Sequence, residues 1–227
     1  ETKDDSGSRV EITDEQLMEV LTQLFGAGFE TVAIMAKWGL FLVAKFPEVQ
    51  KRMRDEMDEV IGRDGKPTFD DQTRLPYCSA VLLEIYRFSS MVALGMTHMT
   101  VTDTTLRGYR IPTGTTVIFN LYSAHYDESV FPEPRKFKPE RFLEPSTGRL
   151  NSEVASQVMP FGVGVRRCGG EPLAKLEIFL LVVTMVHRCN DIRPPPGVEL
   201  DADDCAFGLG IDPRPFELVF ESRRGEW

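Results

Sequence analysis

The segment of this chain best equipped for chemistry is Phe161-Gly162-Val163-Gly164-Val165-Arg166-Arg167-Cys168-Gly169-Gly170. Gly162, Gly164 and Gly169 let the backbone pass close to something flat and bulky, because glycine carries no Cβ and accepts positive φ. Cys168 sits just ahead of Gly170-Glu171-Pro172-Leu173-Ala174-Lys175-Leu176-Glu177, which reads as a helix start with proline in its first turn. A sulfur at the positive end of a helix dipole, beside Arg166 and Arg167, is favoured as thiolate, the form that binds metal. Arg166 could meanwhile make paired hydrogen bonds to a carboxylate. Other cysteine chemistries fit poorly: no Cys-x-x-Cys-His or paired Cys-x-x-Cys occurs, and no histidine lies close in sequence to activate a nucleophile.

Two further constellations carry polar groups into apolar surroundings. In Ala27-Gly28-Phe29-Glu30-Thr31, a glycine inside a helical pattern costs about 1 kcal/mol relative to alanine. Ala27 and Gly28 would open a notch on one helix face with the Thr31 hydroxyl on its rim; close packing of a second helix onto Gly28 is the competing explanation. Glu84-x-x-Arg87 shares one face of another helix. An exposed pair of that kind is worth only ~0.2–0.5 kcal/mol, but its apolar flanks imply burial and further partners.

The elements that must position these groups follow from periodicity. Thr13-x-x-Gln16 is a capping box, and Leu17, Val20, Leu21, Leu24, Gly28, Thr31, Met35, Trp38 and Leu42 recur at three- and four-residue steps. That predicts roughly thirty helical residues, about 45 Å of rod, ending near Phe46-Pro47. An amphipathic helix is expected over 48–61, a turn over 62–67 and a third helix over 76–88. Short strands are expected over 99–101, 105–111 and 115–119, with Pro112 at the second position of the turn Ile111-Pro112-Thr113-Gly114. The proline-rich stretch 131–160 reads as irregular. A helix over 170–188, a break at Pro194-Pro195-Pro196-Gly197 and a strand over 216–220 complete the chain.

Phe-x-x-Gly-x-Arg-x-Cys-x-Gly resembles the haem-binding loop of the cytochrome P-450 superfamily, with every signature position filled. The segment 27–31 resembles that family's oxygen-binding helix, Val32 departing from its last position. Glu84-x-x-Arg87 and Pro139-Glu140-Arg141-Phe142 resemble its Glu-x-x-Arg and Pro-x-Arg-Phe elements. These stretches come in the family's order, and 24–29 and 107–112 look most like animal microsomal members. The resemblance implies a mainly α fold with a small β component, residues 1–227 forming the C-terminal part of a single domain whose N-terminal half is absent. It implies haem b (iron protoporphyrin IX) with Cys168 as axial ligand and sole metal donor, Arg166 and His98 on its propionates, and Phe161, Gly162, Ala27 and Gly28 around it. Thr31 would hydrogen-bond dioxygen and Glu30 would join proton delivery through water. Glu84, Arg87 and Arg141 would lock the irregular stretch onto the core near the cysteine loop.

The implied activity is insertion of one oxygen atom from O2 into a lipophilic substrate of the steroid or xenobiotic class, with electrons from NADPH through a flavin reductase. The expected location is the endoplasmic reticulum membrane, on its cytoplasmic face, through the missing N-terminal region. The linker 90–96 and the loop 206–209 would border the substrate cavity with Phe25 and Phe29. Arg166, Arg167 and Lys175 form a basic cluster that is either a solvated face or a dock for an acidic electron donor. Two rival readings remain: a haem-thiolate isomerase or dehydratase, against which Glu30 and Thr31 argue, and a truncated, non-catalytic fragment.

Composition excludes other classes. With 227 residues and 42% hydrophobic side chains the chain can bury a sizeable core. A net charge of −9 without a dominant basic stretch speaks against a nucleic-acid partner. Four cysteines without scaffold spacing suit a reducing compartment. The longest apolar run, Ile178 to Val186, is far short of the ~20 residues that span a bilayer.

Overall fold

The computed structural model describes residues 12–208 and 210–223; the charged lead-in Glu1–Arg9 and Leu209 of the expected cavity loop lie outside them. Helix α1, Asp14–Lys45, runs 32 residues, about 48 Å. The capping box is present: Thr13 Oγ1 accepts the Gln16 N–H at 3.2 Å and Gln16 Oε1 accepts the Thr13 N–H at 3.1 Å. The helix stops because Phe46 precedes a proline and is pushed out of the helical region, to φ −119° and ψ 79°. Pro47 then opens α2, Pro47–Val60.

The rod has two unlike halves. Leu17, Val20, Leu21, Leu24, Phe25 and Phe29 are exposed, whereas Ile34, Met35, Trp38, Phe41, Leu42 and Val43 are buried. The buried half packs on α2, on α3 (Pro76–Ser89) and on α6 (Glu171–Arg188) around Met53, Met57, Ile85, Phe179 and Val182. Each fully buried aliphatic or aromatic side chain of this kind contributes about 1.5–3 kcal/mol. Gly39 permits a close approach: a β-carbon there would lie 2.6 Å from Val182 Cγ2, so this side chain of α6 packs directly on the bare backbone of α1. By length and mean hydropathy α1 could also cross a membrane. Polar residues interrupt it, so it holds no long unbroken apolar run, and its second half is core.

Among the described residues the β component is four antiparallel pairs: β1 (His98–Met99) with β4 (Thr116–Val117), β2 (Thr104–Leu106) with β3 (Tyr109–Ile111), β5 (Cys189–Arg193) with β8 (Val219–Ser222), and β6 (Cys205–Phe207) with β7 (Ile211–Pro213). The expected single strand over 105–111 is instead a hairpin. Arg107 at φ 49° and Gly108 at φ 84° form a two-residue turn of the kind that matches strand twist. Pro112 occupies the first, not the second, place of its turn: its carbonyl accepts the Thr115 N–H at 3.3 Å, and Gly114 takes the positive φ.

Sequence periodicity also passed over β5, which follows α6 without a loop. Gln50, fully buried, supplies that strand with a partner: Nε2 donates to the carbonyls of Val43 (3.1 Å) and Ile192 (2.7 Å), and Oε1 accepts the Ile192 N–H (3.0 Å). Two short helices went unassigned as well, α4 (Leu121–His125) and α5 (Ser152–Ala155), each capped by an asparagine side chain.

Candidate functional site: a cysteine loop braced by a buried ion-pair network

Gly162 and Gly164 adopt φ 72° and 77°, conformations that favour glycine, and a short 3-10 turn covers Gly164–Arg166. A β-carbon on Gly162, Gly164 or Gly169 would meet nothing within 4 Å, so one surface of the loop is bare backbone facing open space. The Cys168 N–H donates to the Phe161 carbonyl at 2.8 Å and closes the loop. Cys168 is a free, exposed thiol, whereas Cys78 and Cys189 are buried. Its Sγ lies 3.8 Å from the position a Gly170 β-carbon would take, over the N-cap of α6.

Phe161 anchors the near end of the loop. Its ring stands edge-on to Tyr86 of α3 with centroids 5.6 Å apart, and Lys175 Nζ of α6 lies 5.6 Å from its centroid. Lys175 also pairs with Glu171 at 2.6 Å, so it belongs to the loop's packing; Arg166 and Arg167 are exposed. Burial and the Glu171 carboxylate push the Tyr86 hydroxyl well above the ordinary phenol range.

Behind the loop lies the expected Glu84, Arg87 and Arg141 constellation, and the geometry bears it out. Glu84, fully buried, accepts from Arg87 Nε (2.7 Å) and Nη2 (2.9 Å), from the Lys138 N–H (2.8 Å) and from Arg141 Nε (3.2 Å). Arg141 donates onward to the carbonyls of Pro132 (2.7 Å), Glu133 (3.2 Å) and Lys136 (3.1 Å). One guanidinium thus holds the irregular stretch in shape and ties it to α3.

Sequence reading passed over His125. It is buried, and burial together with the Arg87 charge lowers its pKa to about 4. The ring hydrogen-bonds Ser90 Oγ through Nδ1 (2.8 Å) and accepts the Met159 N–H on Nε2 (3.0 Å). Its carbonyl accepts from Arg87 Nη1 at 2.8 Å. No periodicity marks such a residue, because its partners come from two distant segments, the end of α3 and the stretch before the cysteine loop.

On α1, the Thr31 hydroxyl donates to the Ala27 carbonyl at 2.7 Å, turning its proton inward along its own helix. A β-carbon on Gly28 would meet nothing within 4 Å, so helix packing among the described residues does not explain that glycine. Glu30 and Ala27 are exposed and Thr31 is half-buried. His98, in β1 opposite Val117, packs edge-on against Phe119 with centroids 5.3 Å apart.

The linker and the tail loop do converge. The Ile211 N–H donates to the Met91 carbonyl at 2.8 Å, and Trp38 Nε1 donates to the Ile211 carbonyl at 2.8 Å. Ala93, Leu94 and Phe207 line one cavity of about 390 Å³, together with Tyr122 and Tyr126. Phe25 and Phe29 stack on each other at 6.3 Å on the exposed half of α1 and do not line it; nor do Cys168 and Thr31. Among the described residues, no group of three or more His, Cys, Asp or Glu side chains is placed to hold a metal ion.

Comparison with known proteins agrees with this layout. The family model described as Cytochrome P450 matches residues 1–220. Cytochrome P450 1A2 of Rattus norvegicus is 38% identical over 208 residues, 92% of this chain and 40% of the relative. Cytochrome P450 1B1 of Homo sapiens is 39% identical over 212 residues (93% and 38%), and human cytochrome P450 2D6 is 40% identical over 205 residues (90% and 40%). The chain therefore spans about two fifths of the length of the curated relatives it matches. Its mainly helical architecture with small β pairs, its glycine-lined cysteine loop and this match over nearly all its length lead to one conclusion: the chain belongs to the cytochrome P450 family.

Proposed function

We propose that residues 1–227 are the C-terminal part of a single haem-thiolate monooxygenase domain, with Cys168 as the axial ligand of haem b. The supporting observation is the loop itself, in which an exposed free thiol stands over a helix N-cap beside glycine backbone that no side chain covers. A flat macrocycle needing one soft donor and an unobstructed face fits that donor set. Arg166 and His98 would bind the propionates, and Phe161 and Gly162 would shape the ligand loop. Bound there, haem would supply the activation of dioxygen for insertion of one oxygen atom into a C–H bond.

The protein's own residues would then bind, orient and manage protons. Ala27 and Gly28 leave a notch without side-chain bulk. Thr31, by releasing its bond to the Ala27 carbonyl, would offer its hydroxyl proton into that notch. Glu30, exposed next to it, would relay protons from water. The apolar residues of the linker and tail loop, Ala93, Leu94 and Phe207, would favour a lipophilic substrate of the steroid or xenobiotic class. Electrons would come from an NADPH-dependent flavin reductase, with exposed Arg166 and Arg167 available to an acidic donor. Residence at the cytoplasmic face of the endoplasmic reticulum membrane belongs to the same proposal.

One observation favours a second reading, a non-catalytic fragment. The face of α1 bearing Leu24, Phe25 and Phe29 is exposed, so these residues alone leave one wall of the site open. Haem titration separates the two. Thiolate-ligated absorbance of the reduced carbonyl complex in the unmutated chain, lost in Cys168→Ser and kept in Cys205→Ser, is the expected result. Equal spectra in the unmutated chain and Cys168→Ser would overturn the assignment of Cys168. Absence of haem uptake would favour the fragment reading.

A further inference from the structure

We propose that His125 is a positioning residue for the cysteine loop, holding the Met159 backbone, and through it the turn that carries Cys168, against the buried Glu84–Arg87 pair. The proposal rests on Cys168 as the haem ligand and adds the group that sets where its loop begins.

The bonding fixes the tautomer. Nε2 accepts the Met159 N–H, so in the neutral ring the proton sits on Nδ1 and is donated to Ser90 Oγ. The Ser90 hydroxyl in turn donates to the Arg87 carbonyl at 2.9 Å. Arg87 closes the circuit by donating through Nη1 to the His125 carbonyl at 2.8 Å. His125 is therefore gripped at two points from the end of α3, its carbonyl by Arg87 and its ring by Ser90, which leaves the ring little rotational freedom. Ser90 reaches its place by taking φ 39° at the C-cap of α3, a left-handed conformation a serine adopts only when its surroundings hold it there.

From Met159 the restraint passes along the loop in two hydrogen bonds. The Met159 carbonyl accepts the Gly162 N–H at 3.2 Å, and the Phe161 carbonyl accepts the Cys168 N–H at 2.8 Å. Apolar packing at this position would require a side chain of similar volume and no acceptor. Both ring nitrogens and the backbone carbonyl of His125 are engaged, so what the position uses is the direction of a lone pair.

Two amide substitutions separate direction from bulk. In His125→Gln an amide oxygen reaches roughly the place of Nε2 and can still accept the Met159 N–H. In His125→Asn the amide falls near Nδ1 and can serve only Ser90. Two measurements on the full chain without haem read the loop: hydrogen exchange at the Met159 amide, and hydrogen exchange at the Cys168 amide that closes the loop onto the Phe161 carbonyl. Losing one buried hydrogen bond should raise both rates on the order of five- to tenfold in His125→Asn. His125→Gln should stay near the unmutated rates even where its melting temperature falls as far as that of His125→Asn. With haem added, the thiolate-ligated fraction should drop in His125→Asn and return in His125→Gln.

Unchanged exchange at both amides in His125→Asn would overturn the positioning role. Equal loss in both variants would overturn it too, by showing that ring bulk is what counts. Loop rates that respond as expected, in a chain whose unmutated form lacks thiolate-ligated haem, would uphold the clamp and sink the reading of Cys168 instead.

Discussion

Glu84 and Arg141 are 57 positions apart in the chain, yet Oε1 of one and Nε of the other meet at 3.2 Å inside the protein. The carboxylate is fully buried and already holds Arg87, so its environment is complete only when the stretch carrying Arg141 is folded against α3. Arg87→Ala would strand a buried negative charge and is expected to cost about 3–5 kcal/mol. Arg141→Ala removes a partner of the same carboxylate but leaves Arg87 in place, and should cost less. Urea denaturation of both variants checks the order; a larger loss in Arg141→Ala would contradict it.

Acid should destabilise this chain through His125. Its folded pKa is lowered from 6.5 to about 4 by burial and by the Arg87 guanidinium, so the folded state binds fewer protons than the unfolded state between those values. Its share of stability is fully present above pH 6.5 and erodes as the pH falls toward 4, by up to about 3 kcal/mol. Denaturation midpoints from pH 7.5 to 4.5 should fall with a slope that His125→Gln flattens. An unchanged slope in that variant would assign the acid sensitivity to other groups.

The two glycines of α1 should respond oppositely to alanine. At Gly39 the new methyl would lie 2.6 Å from Val182 Cγ2, on a stiff β-branched side chain, and should cost about 1–3 kcal/mol despite better helix propensity. At Gly28 no atom lies within 4 Å, and alanine should stabilise the helix by up to about 1 kcal/mol. Thermal melts of both variants test the pair. A stabilised Gly28→Ala protein with impaired oxygen chemistry would trace the glycine to function.

Gln50 should prove the most sensitive polar residue of α2. Gln50→Leu would leave the Ile192 N–H and carbonyl and the Val43 carbonyl without their buried partner, at a cost of about 2–4 kcal/mol. Faster hydrogen exchange at Ile192 in that variant would locate the damage in β5.

What the sequence made legible was what repeats or what sits next to its chemical partner. The capping box of α1, the starts of α2, α3 and α6 at prolines, and the glycine–arginine–cysteine loop all lie within a few residues of the signals that announce them. Glu84 and Arg87 were readable as a pair because they share a helix face, and Arg141 only through resemblance. His125 and Gln50 were illegible for the opposite reason: each is defined by bonds to backbone atoms more than thirty positions away. The hairpin at Arg107-Gly108 was lost because β-rich flanks masked a two-residue turn. Phe25 and Phe29 keep the helical spacing that suggested a cavity wall, but no described segment packs against that half of the rod.

The unequal burial of α1 divides it at one turn: among the described residues it is packed from Ile34 onward and exposed before Phe29. Thr31 sits at its fulcrum, where a side-chain hydroxyl already competes for the Ala27 carbonyl and loosens the ladder of the rod. Any bend of the helix would therefore concentrate at that turn and tilt the hydroxyl by small angles.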